Sequence, residues 1–531
     1  MEATENRANG AGQTPSGDKK KGCASISVTM MGISAAACGC SANLILFFIR
    51  EFNMGSITAT LINYCTLTCY NFFAFAGFMV ADSCFRSTSF RFSLVTIFSF
   101  ISLLGTIMLT LIPAVQSLTP PPYESPSRYQ YGVLYLALAL VSLGFGGTRF
   151  GFLHMTACQY GKMVDFMVFT NFNYFFAVVI FGAVIYFDDN VSWSLGFGIC
   201  VVANAIALIV FLFGKRKGLY CQNEPQWKIS LSENSQGQDD TTEVQASALT
   251  KSFRVLNNAR VDSQSEASSQ AIPWRLFTMQ VAADLKTLSK TMPVWSFDIF
   301  LFTSKSMLTS LTTVQALTMD RSIDLPYFKN VPPESYQFMN LAISPFLALL
   351  CQLSKLLAYP YNTGQTLTPL QRIGIGRVFN IIAIVASALI ESRRLHIVRT
   401  HDLTNKPGSV VPMTSSWLVV PQLLLGFAHS FHLLAQAEAC SSQVFPRSYI
   451  IHEVMIILSY GIGNYLSATI TVLVSLLTGW LSNNINDGRL DYVFWMLAMI
   501  GVVNFGYYLV SAKRYKFQQH NDEASRSEVS P

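Results

Sequence analysis

Charge is scarce in this chain of 531 residues, since Asp, Glu, Lys and Arg together make up only 12% of it. A soluble globular protein carries about 25% charged residues. Hydrophobic residues reach 51% and fall into separate stretches. Each stretch is close to the ~20 residues that cross the hydrocarbon core of a bilayer. The composition therefore predicts a polytopic membrane protein.

Other absences narrow the function. The 11 Cys show no paired spacing in the loops expected to face outside, which argues against a disulfide framework. No catalytic triad and no zinc-ligand spacing is supported, so we expect no enzymatic activity, no metal and no cofactor. The net charge of +6 is modest and lies mainly in particular loops. We therefore expect no nucleic-acid partner.

The apolar stretches predict an all-α membrane protein with about twelve transmembrane helices. Basic clusters at 19–21, 215–217 and 513–516 precede the first span, follow the sixth and follow the last. The positive-inside rule then places both termini in the cytoplasm, although a basic cluster at 393–399 would face the outside. The predicted spans are 25–49, 56–80, 91–113, 131–152, 166–187, 191–213, 291–317, 336–358, 373–391, 412–436, 449–477 and 491–511.

These spans divide into two six-helix bundles, 25–213 and 291–511, with cytoplasmic tails at 1–24 and 512–531. The linker between the bundles, 214–290, is polar in its middle, which predicts disorder. Its last part has helical apolar spacing and predicts an amphipathic helix against the membrane. A kinase is a candidate partner for this linker. Two six-helix halves around a long loop are typical of the major facilitator fold, whose substrate site lies near the midplane.

Two of the basic residues within predicted spans point to a function. Lys305 is inside 291–317, and Arg149 is near the end of 131–152. A cation near the middle of a bilayer costs about 2.5–3.5 kcal/mol on insertion scales, and such residues usually face a bundle interior or a polar cavity. Two such cations in separate helices indicate a pathway for an anion.

Several motifs resemble those of the plant nitrate and peptide transporters, a branch of the proton-coupled oligopeptide transporters within the major facilitator superfamily. Residues 77–85 read GFMVADSCF, similar to the family's G-x-x-x-A-D-S-x-F, and residues 146–150 read GGTRF, as in its fourth-helix motif. Further matches lie at 188–198, 315–321 and 370–376. The resemblance covers nearly the whole chain outside the tails and the linker, and it implies transport by alternating access.

Within that family the chain resembles the nitrate excretion transporter branch most closely. The segments that carry this resemblance are 50–54, 148–150 and 284–288. Proton-coupled relatives carry E-x-x-E-R on the first helix, and the two Glu positions hold Met30 and Ile33 here. The excretion branch also lacks this acid pair. The resemblance therefore implies weak or no coupling of transport to protons.

The family's tenth-helix motif G-x-x-E-x-F-H has His429 in place of its Glu. An imidazole with a reference pKa of ~6.5 could become charged at an acidic exterior, which makes His429 a candidate pH sensor. A buried neutral ring with one hydrogen bond is the alternative. Lys305 is also unusual, because relatives known for nitrate influx can hold His at that position.

The resemblance and the chemistry of the side chains together give a set of candidate substrate-binding residues. These are Arg149, Lys305, Asn173, Tyr174 and Gln315. We assign gating or structural roles to Asp82, Asp298 and Trp295.

Each substrate assignment has a structural alternative. Arg149 offers a planar charged fork for an oxyanion, and the alternative is an Arg that reaches the interface or fixes a loop. Lys305 could instead pair with Asp298, two helical turns away on the same face. Asn173, Tyr174 and Gln315 could serve packing alone.

The sequence predicts a carrier of a small anion, nitrate first, that works by alternating access in the lipid bilayer. A negative cytoplasm drives anions outward with ~2.3 kcal/mol per unit charge and 100 mV, which favours efflux. The plasma membrane is the predicted location and an endomembrane the alternative. Two other functions stay open. The cargo could be chloride, a peptide or an organic anion such as a glucosinolate, or the chain could be a non-transporting sensor or degenerate paralogue.

Overall fold

The computed structural model describes residues 16–83, 88–160, 163–220, 273–325, 328–358, 368–404, 406, 409–441 and 447–529. Near several helix ends in these ranges, only the backbone is described. The N-terminal residues 1–15 and most of the predicted disordered linker, 221–272, lie outside the described residues.

Thirteen α-helices dominate the described part of the chain, and the first two form one interrupted span. Twelve spans therefore run through the described residues, which confirms the predicted helical fold. The helices are α1 (Ser16–Ala42), α2 (Leu44–Arg50), α3 (Ser56–Ser83), α4 (Thr88–Ala114), α5 (Arg128–Tyr160), α6 (Met163–Asn190), α7 (Trp193–Arg216), α8 (Pro273–Thr318), α9 (Ser335–Ala358), α10 (Pro369–Thr400), α11 (Val419–Ser441), α12 (Arg447–Thr478) and α13 (Leu490–Val529).

Among the described residues, eight helical stretches are long and apolar enough to cross a membrane. Phe92–Ala114 and Trp193–Arg216 have the highest mean hydropathy of these, at 2.3 and 2.6. The helix α8 is unusual because it is 46 residues long. It joins the segment predicted as a membrane-surface helix to the seventh span without a break.

Short strands add to the helical fold at one end of the molecule. Strand β1 (Met319–Asp320) pairs in parallel with β4 (Val411–Thr414), and β2 (Ser322–Leu325) pairs antiparallel with β3 (Phe328–Asn330). A 3-10 helix at Ser415–Leu418 follows β4. These elements lie between α8 and α9 and before α11. We call this the distal end of the bundle.

Local sequence determines where two of the helices begin. Before α7, the side chain of Ser192 accepts a hydrogen bond from the backbone N–H of Leu195. Before α10, Thr368 and Gln371 form a reciprocal capping box, and Pro369 occupies the first turn. These groups satisfy backbone N–H donors that a helix start leaves without partners. Both helices therefore start close to the predicted span boundaries.

The first span is broken at Asn43. Helix α1 ends at Ala42, and α2 begins at Leu44. The buried Asn43 side chain donates from Nδ2 to the carboxylate of Asp188 in α6. The predicted span 25–49 thus comprises two helices, and the side chain of the residue at the break bonds to the fifth span.

Each half of the chain has an apolar core. In the N-terminal half, Phe47 packs against the edges of Phe52, Trp193 and Phe197 with ring centroids 5.5, 5.5 and 5.3 Å apart. In a bilayer such packing is driven by close contact and dispersion. The two predicted six-helix halves are confirmed. The buried cluster of the C-terminal half includes Met307, Leu308, Leu311, Ala383, Ile384, Phe494 and Leu497.

The basic cluster at 393–399 belongs to a helix and not to a loop. Helix α10 continues to Thr400, well past the predicted end of the ninth span. Arg394 is fully buried and forms a two-pronged pair with Glu391, at 2.7 Å from Nη2 to Oε1 and 2.8 Å from Nε to Oε2. The Arg394 charge is compensated inside the protein, so it does not count against the predicted orientation.

Candidate functional site

Arg149 is half-buried in α5, and its charge meets side chains from both halves of the chain. The Tyr70 hydroxyl of α3 hydrogen-bonds with it, and Tyr174 of α6 lies close enough to interact electrostatically. The Glu453 carboxylate of α12 attracts it from the other bundle. The guanidinium therefore points toward the space between the two bundles.

Lys305 is half-buried in α8. Its Nζ donates a hydrogen bond to the Tyr460 hydroxyl at 3.2 Å and lies 5.5 Å from the centroid of that ring. Both the hydrogen bond and the ring face favour the charged ammonium. An ammonium has three N–H donors, and this bond occupies one of them.

His429 of α11 extends the same hydrogen-bonded chain. Its Nε2 lies 2.6 Å from the Tyr460 hydroxyl, and its ring is 5% exposed. Because that hydroxyl accepts from Lys305, its own proton is free to be donated to Nε2 of a neutral imidazole. We assign the ring proton to Nδ1 on this ground. Among the described residues, Nδ1 has no hydrogen-bond partner.

The two cations lie around one central space. Tyr174 is 36% exposed although it interacts with Arg149, Tyr460 and Cys38, which come from both bundles. Its exposed surface therefore opens onto a space between the bundles. We define the central site as Arg149, Lys305, Tyr174, His429, Tyr460 and Glu453.

Asn173 precedes Tyr174 in the sequence, but in the structure it lies on another face of α6. Asn173 is buried, and its Oδ1 accepts a hydrogen bond from Ser27 Oγ at 2.6 Å. This contact joins α6 to α1 within the N-terminal bundle.

Gln315 lies apart from the central site. It is buried in α8 and donates from Nε2 to Glu391 Oε2 at 2.6 Å. Glu391 also binds Arg394, which in turn donates to Asn486 Oδ1 at 2.6 Å. Gln315 therefore belongs to a buried polar network that joins α8, α10 and the segment before α13 near the distal end.

Asp298 and His432 contribute to a second buried network of the C-terminal bundle. Asp298 Oδ1 accepts from Arg377 Nη2 at 2.8 Å and lies 3.1 Å from His432 Nε2. Arg377 also donates to Asn504 Oδ1 at 3.1 Å. These contacts join α8, α10, α11 and α13. The structure thus pairs Asp298 with Arg377, whereas Lys305 reaches Tyr460.

Two predicted gating or structural residues fall outside the described side chains. Asp82 belongs to α3 and Trp295 to α8, and only their backbone is described. Both keep the status of predictions. Within the part of the chain that the structure describes, no group of three His, Cys, Asp or Glu residues could hold a metal ion.

A charged cluster closes the distal end between the halves. Arg50 Nη1 lies 2.5 Å from Asp189 Oδ1, and Arg321 Nη1 of the C-terminal half lies 3.9 Å from Asp189 Oδ2. Glu334, just before α9, is 1% exposed. Burial raises the pKa of its carboxyl to about 8, with Arg50 opposing the rise and Asp189 adding to it. This cluster spans the two halves at one end of the central space.

Sequence reasoning missed three residues that the structure brings to these sites. Glu453 and Arg377 are charges inside predicted spans, so the signal that identified Lys305 applied to them as well. Tyr460 gave no such signal, because a tyrosine in an apolar helix is usually a packing residue.

Comparisons with known proteins found relatives along most of the chain. The protein-family model PTR2, which describes the POT family, matches residues 92–485. The chain is 34% identical over 551 residues to Protein NRT1/ PTR FAMILY 2.1 of Arabidopsis thaliana, covering 96% of each chain. It is also 34% identical to Protein NRT1/ PTR FAMILY 2.7 of the same plant, covering 93% of this chain and 92% of the relative. A crystal structure of the peptide transporter POT in complex with sulfate superposes with a TM-score of 0.60 at 14% identity, covering 93% and 94% of the two chains.

Proposed function

The chain belongs to the POT family of membrane transporters, and from that premise we propose that it carries a small anion by alternating access, nitrate first. It is an integral membrane protein with many spans, and its family and fold are those of transporters and not of enzymes. The cargo, the direction of transport and the coupling of transport to protons are proposals.

One observation carries the proposal: Arg149 and Lys305, from different halves, face the same central space. Arg149 interacts with Tyr174. Tyr460 interacts with Tyr174 and also with Lys305, so the two cations share neighbouring side chains. In a low-dielectric cavity two cations lower the barrier for an anion far more than they would in water. A solute without a negatively charged group would gain far less from this arrangement.

Nitrate is the first cargo because the chain resembles the nitrate excretion branch at residues 50–54, 148–150 and 284–288. The planar fork of Arg149 suits a planar oxyanion with several acceptor oxygens. That the related POT structure was solved with sulfate supports an oxyanion site in this fold. Tyr174 and the proposed Nδ1–H of His429 would supply neutral donors.

We propose efflux without tight proton coupling because apolar residues replace the two first-helix acids of proton-coupled relatives. Met30 and Ile33 cannot carry a proton, and His429 binds Tyr460 through Nε2. Net flow would then follow voltage and the anion gradient, and a negative cytoplasm drives anions outward. The basic clusters support cytoplasmic termini, which would leave the distal end outside, and the plasma membrane is the proposed location. Kinase contact with the linker concerns residues outside the described part.

The experiment that tests this function is flux through purified protein in liposomes, with nitrate, chloride and a dipeptide as separate cargoes. We expect nitrate to move fastest. If chloride or the dipeptide moves faster than nitrate, the proposed cargo is wrong, but the chain is still a carrier. Absence of flux for all three would favour the non-transporting sensor, to which the altered tenth-helix motif at His429 also points.

A further inference from the structure

The last turns of α10 carry an exposed basic face that transport of the anion does not use. Arg393, His396 and Arg399 are all exposed there. Between 393 and 406 the sequence has four Lys and Arg, and Asp402 is the single acid. This cluster lies at the end of the bundle opposite to the other basic clusters, where the positive-inside rule predicts few basic residues. Its basic side chains therefore need a reason of their own.

The exposed side of α10 changes from apolar to charged at the level where a bilayer ends. Val378, Ile382 and Leu389 are 41%, 45% and 57% exposed and recur at helical spacing, so they face the hydrocarbon. Arg393 follows Leu389 by one turn on the same side. Arg372 lies 21 positions before Arg393, which is about 31 Å along the helix and close to the ~30 Å of the hydrocarbon core. Arg393 therefore lies at the level of the lipid headgroups.

Trp417 marks the same level from a neighbouring element. The guanidinium carbon Cζ of Arg393 lies 5.9 Å from the centroid of the Trp417 ring, and that side chain is 48% exposed. Val420, at the start of α11, is 47% exposed and follows one turn later. An exposed tryptophan beside an arginine and above an apolar surface is typical of the interface between lipid and water. The basic face and the indole therefore meet where a headgroup phosphate would lie.

We propose that Arg393, His396 and Trp417 bind the headgroup phosphate of an anionic lipid in the leaflet at the distal end. Among the described residues no carboxylate pairs with Arg393, so its N–H donors are available to a phosphate. Arg399 and Lys406 are exposed and add positive potential beyond it. A lipid with a net negative charge gains from this potential, whereas the positive group of a zwitterionic lipid offsets the gain.

The test measures which lipid lies against Trp417 in bilayers that contain the purified full-length chain. Subtracting the spectrum of a Trp417→Phe variant isolates the fluorescence of Trp417. Lipids with brominated chains quench a tryptophan that they contact. Brominated phosphatidylglycerol in phosphatidylcholine, and the reverse mixture, therefore give the preference of the site for one lipid over the other.

We expect the wild type to prefer phosphatidylglycerol about fivefold, because one basic residue near the surface contributes about this factor. Arg393→Gln, measured against its own Trp417→Phe partner, should lose most of that preference. The control is Arg128→Gln, which removes an exposed arginine at the distal end of the other bundle and should keep the preference.

Equal quenching of Trp417 by the two brominated lipids in the wild type would overturn the inference, and so would an unchanged preference in Arg393→Gln. If neither lipid quenches Trp417, the face is not in contact with lipid and the inference is wrong. Glycerol phosphate in the buffer should not displace brominated phosphatidylglycerol, and displacement would assign the site to a soluble phosphate. Should Arg393→Gln fail to fold, Arg399→Gln combined with Lys406→Gln should lower the preference, and an unchanged value would count against the lipid site. The measurement involves no flux, so its result is independent of the cargo.

Discussion

The ammonium of Lys305 and the hydroxyl of Tyr460 lie 3.2 Å apart, and this contact ties a charge of α8 to the face of α12 that lines the central site. The same hydroxyl lies 2.6 Å from Nε2 of His429. One tyrosine thus orients both the cation and the imidazole. The three side chains come from three different helices of the C-terminal bundle, so a shift of any one of these helices would change the electrostatics of the site.

Tyr460→Phe should weaken anion binding without unfolding the protein. The variant keeps the ring that packs at 3.8 Å from Phe302 and faces Lys305, but it loses the hydroxyl that joins Lys305 to His429. A net hydrogen bond contributes about 1 kcal/mol, and one to a charged group more, so we expect the half-saturating nitrate concentration to rise roughly fivefold. Initial flux rates against nitrate concentration measure it. An unchanged value would mean that the hydroxyl does not position the site.

Lys305→Ala should weaken anion binding, and Lys305→Glu should abolish flux because it reverses the local charge. Asp298→Asn should act differently, since it leaves the buried Arg377 without its carboxylate partner. Breaking such a pair costs about 3–5 kcal/mol, so this variant should unfold at lower temperature in detergent. Flux and thermal unfolding measured on all three variants separate the two roles. If Lys305→Ala keeps the wild-type flux while Asp298→Asn loses flux at normal thermal stability, Lys305 does not lie in the anion pathway.

Arg149→Ala should abolish anion flux while leaving membrane insertion intact. Arg149→Lys keeps the charge but not the planar fork, so we expect partial flux with a higher half-saturating concentration. Surface expression and gel-filtration profiles control for folding. Nitrate transport by Arg149→Ala at the wild-type rate would show that the guanidinium is not in the pathway.

The sequence predicted the helices well because length and apolar composition decide which segments enter a bilayer. It also identified Arg149 and Lys305, because a charge in an apolar run is conspicuous. The partners of these two cations could not be predicted from the sequence. Tyr460 meets Lys305 across 155 positions of sequence, and that pairing depends on how α8 and α12 rotate against each other.

Residues on the same helix also differ in ways that spacing alone did not separate. Lys305 and Gln315 both lie in α8, yet the first reaches the central site and the second binds Glu391. The broken first span is a similar case. Asn43 lies at the break between α1 and α2, and its side chain donates to Asp188 of a distant span, a contact that local propensity does not reveal.

Glu334 should make opening of the distal end depend on pH. Burial raises the pKa of its carboxyl from 4.5 to about 8, so the closed arrangement binds more protons than an open, hydrated one. The closed arrangement is therefore most stable at acidic pH and is progressively destabilised as pH rises from 4.5 to about 8. We expect voltage-driven flux to increase as the pH on the distal side is raised through this window.

Glu334→Gln stays neutral at every pH and should remove this dependence. Glu124→Gln, exposed on the same end of the molecule, should keep it. Flux at constant voltage, measured against the pH of the distal side, compares the two. The same pH slope in Glu334→Gln as in the wild type would show that another group controls the opening.

Voltage-driven nitrate movement through the purified protein is the most direct measure of an uncoupled anion carrier. Liposomes would hold equal nitrate on both sides, first with a potassium diffusion potential at equal pH, and then with a pH gradient at zero voltage. We expect nitrate to move toward the positive side in the first condition and to show no sustained movement in the second. Sustained uphill movement of nitrate driven by the pH gradient alone, or no movement under voltage, would contradict voltage-driven transport through Arg149 and Lys305.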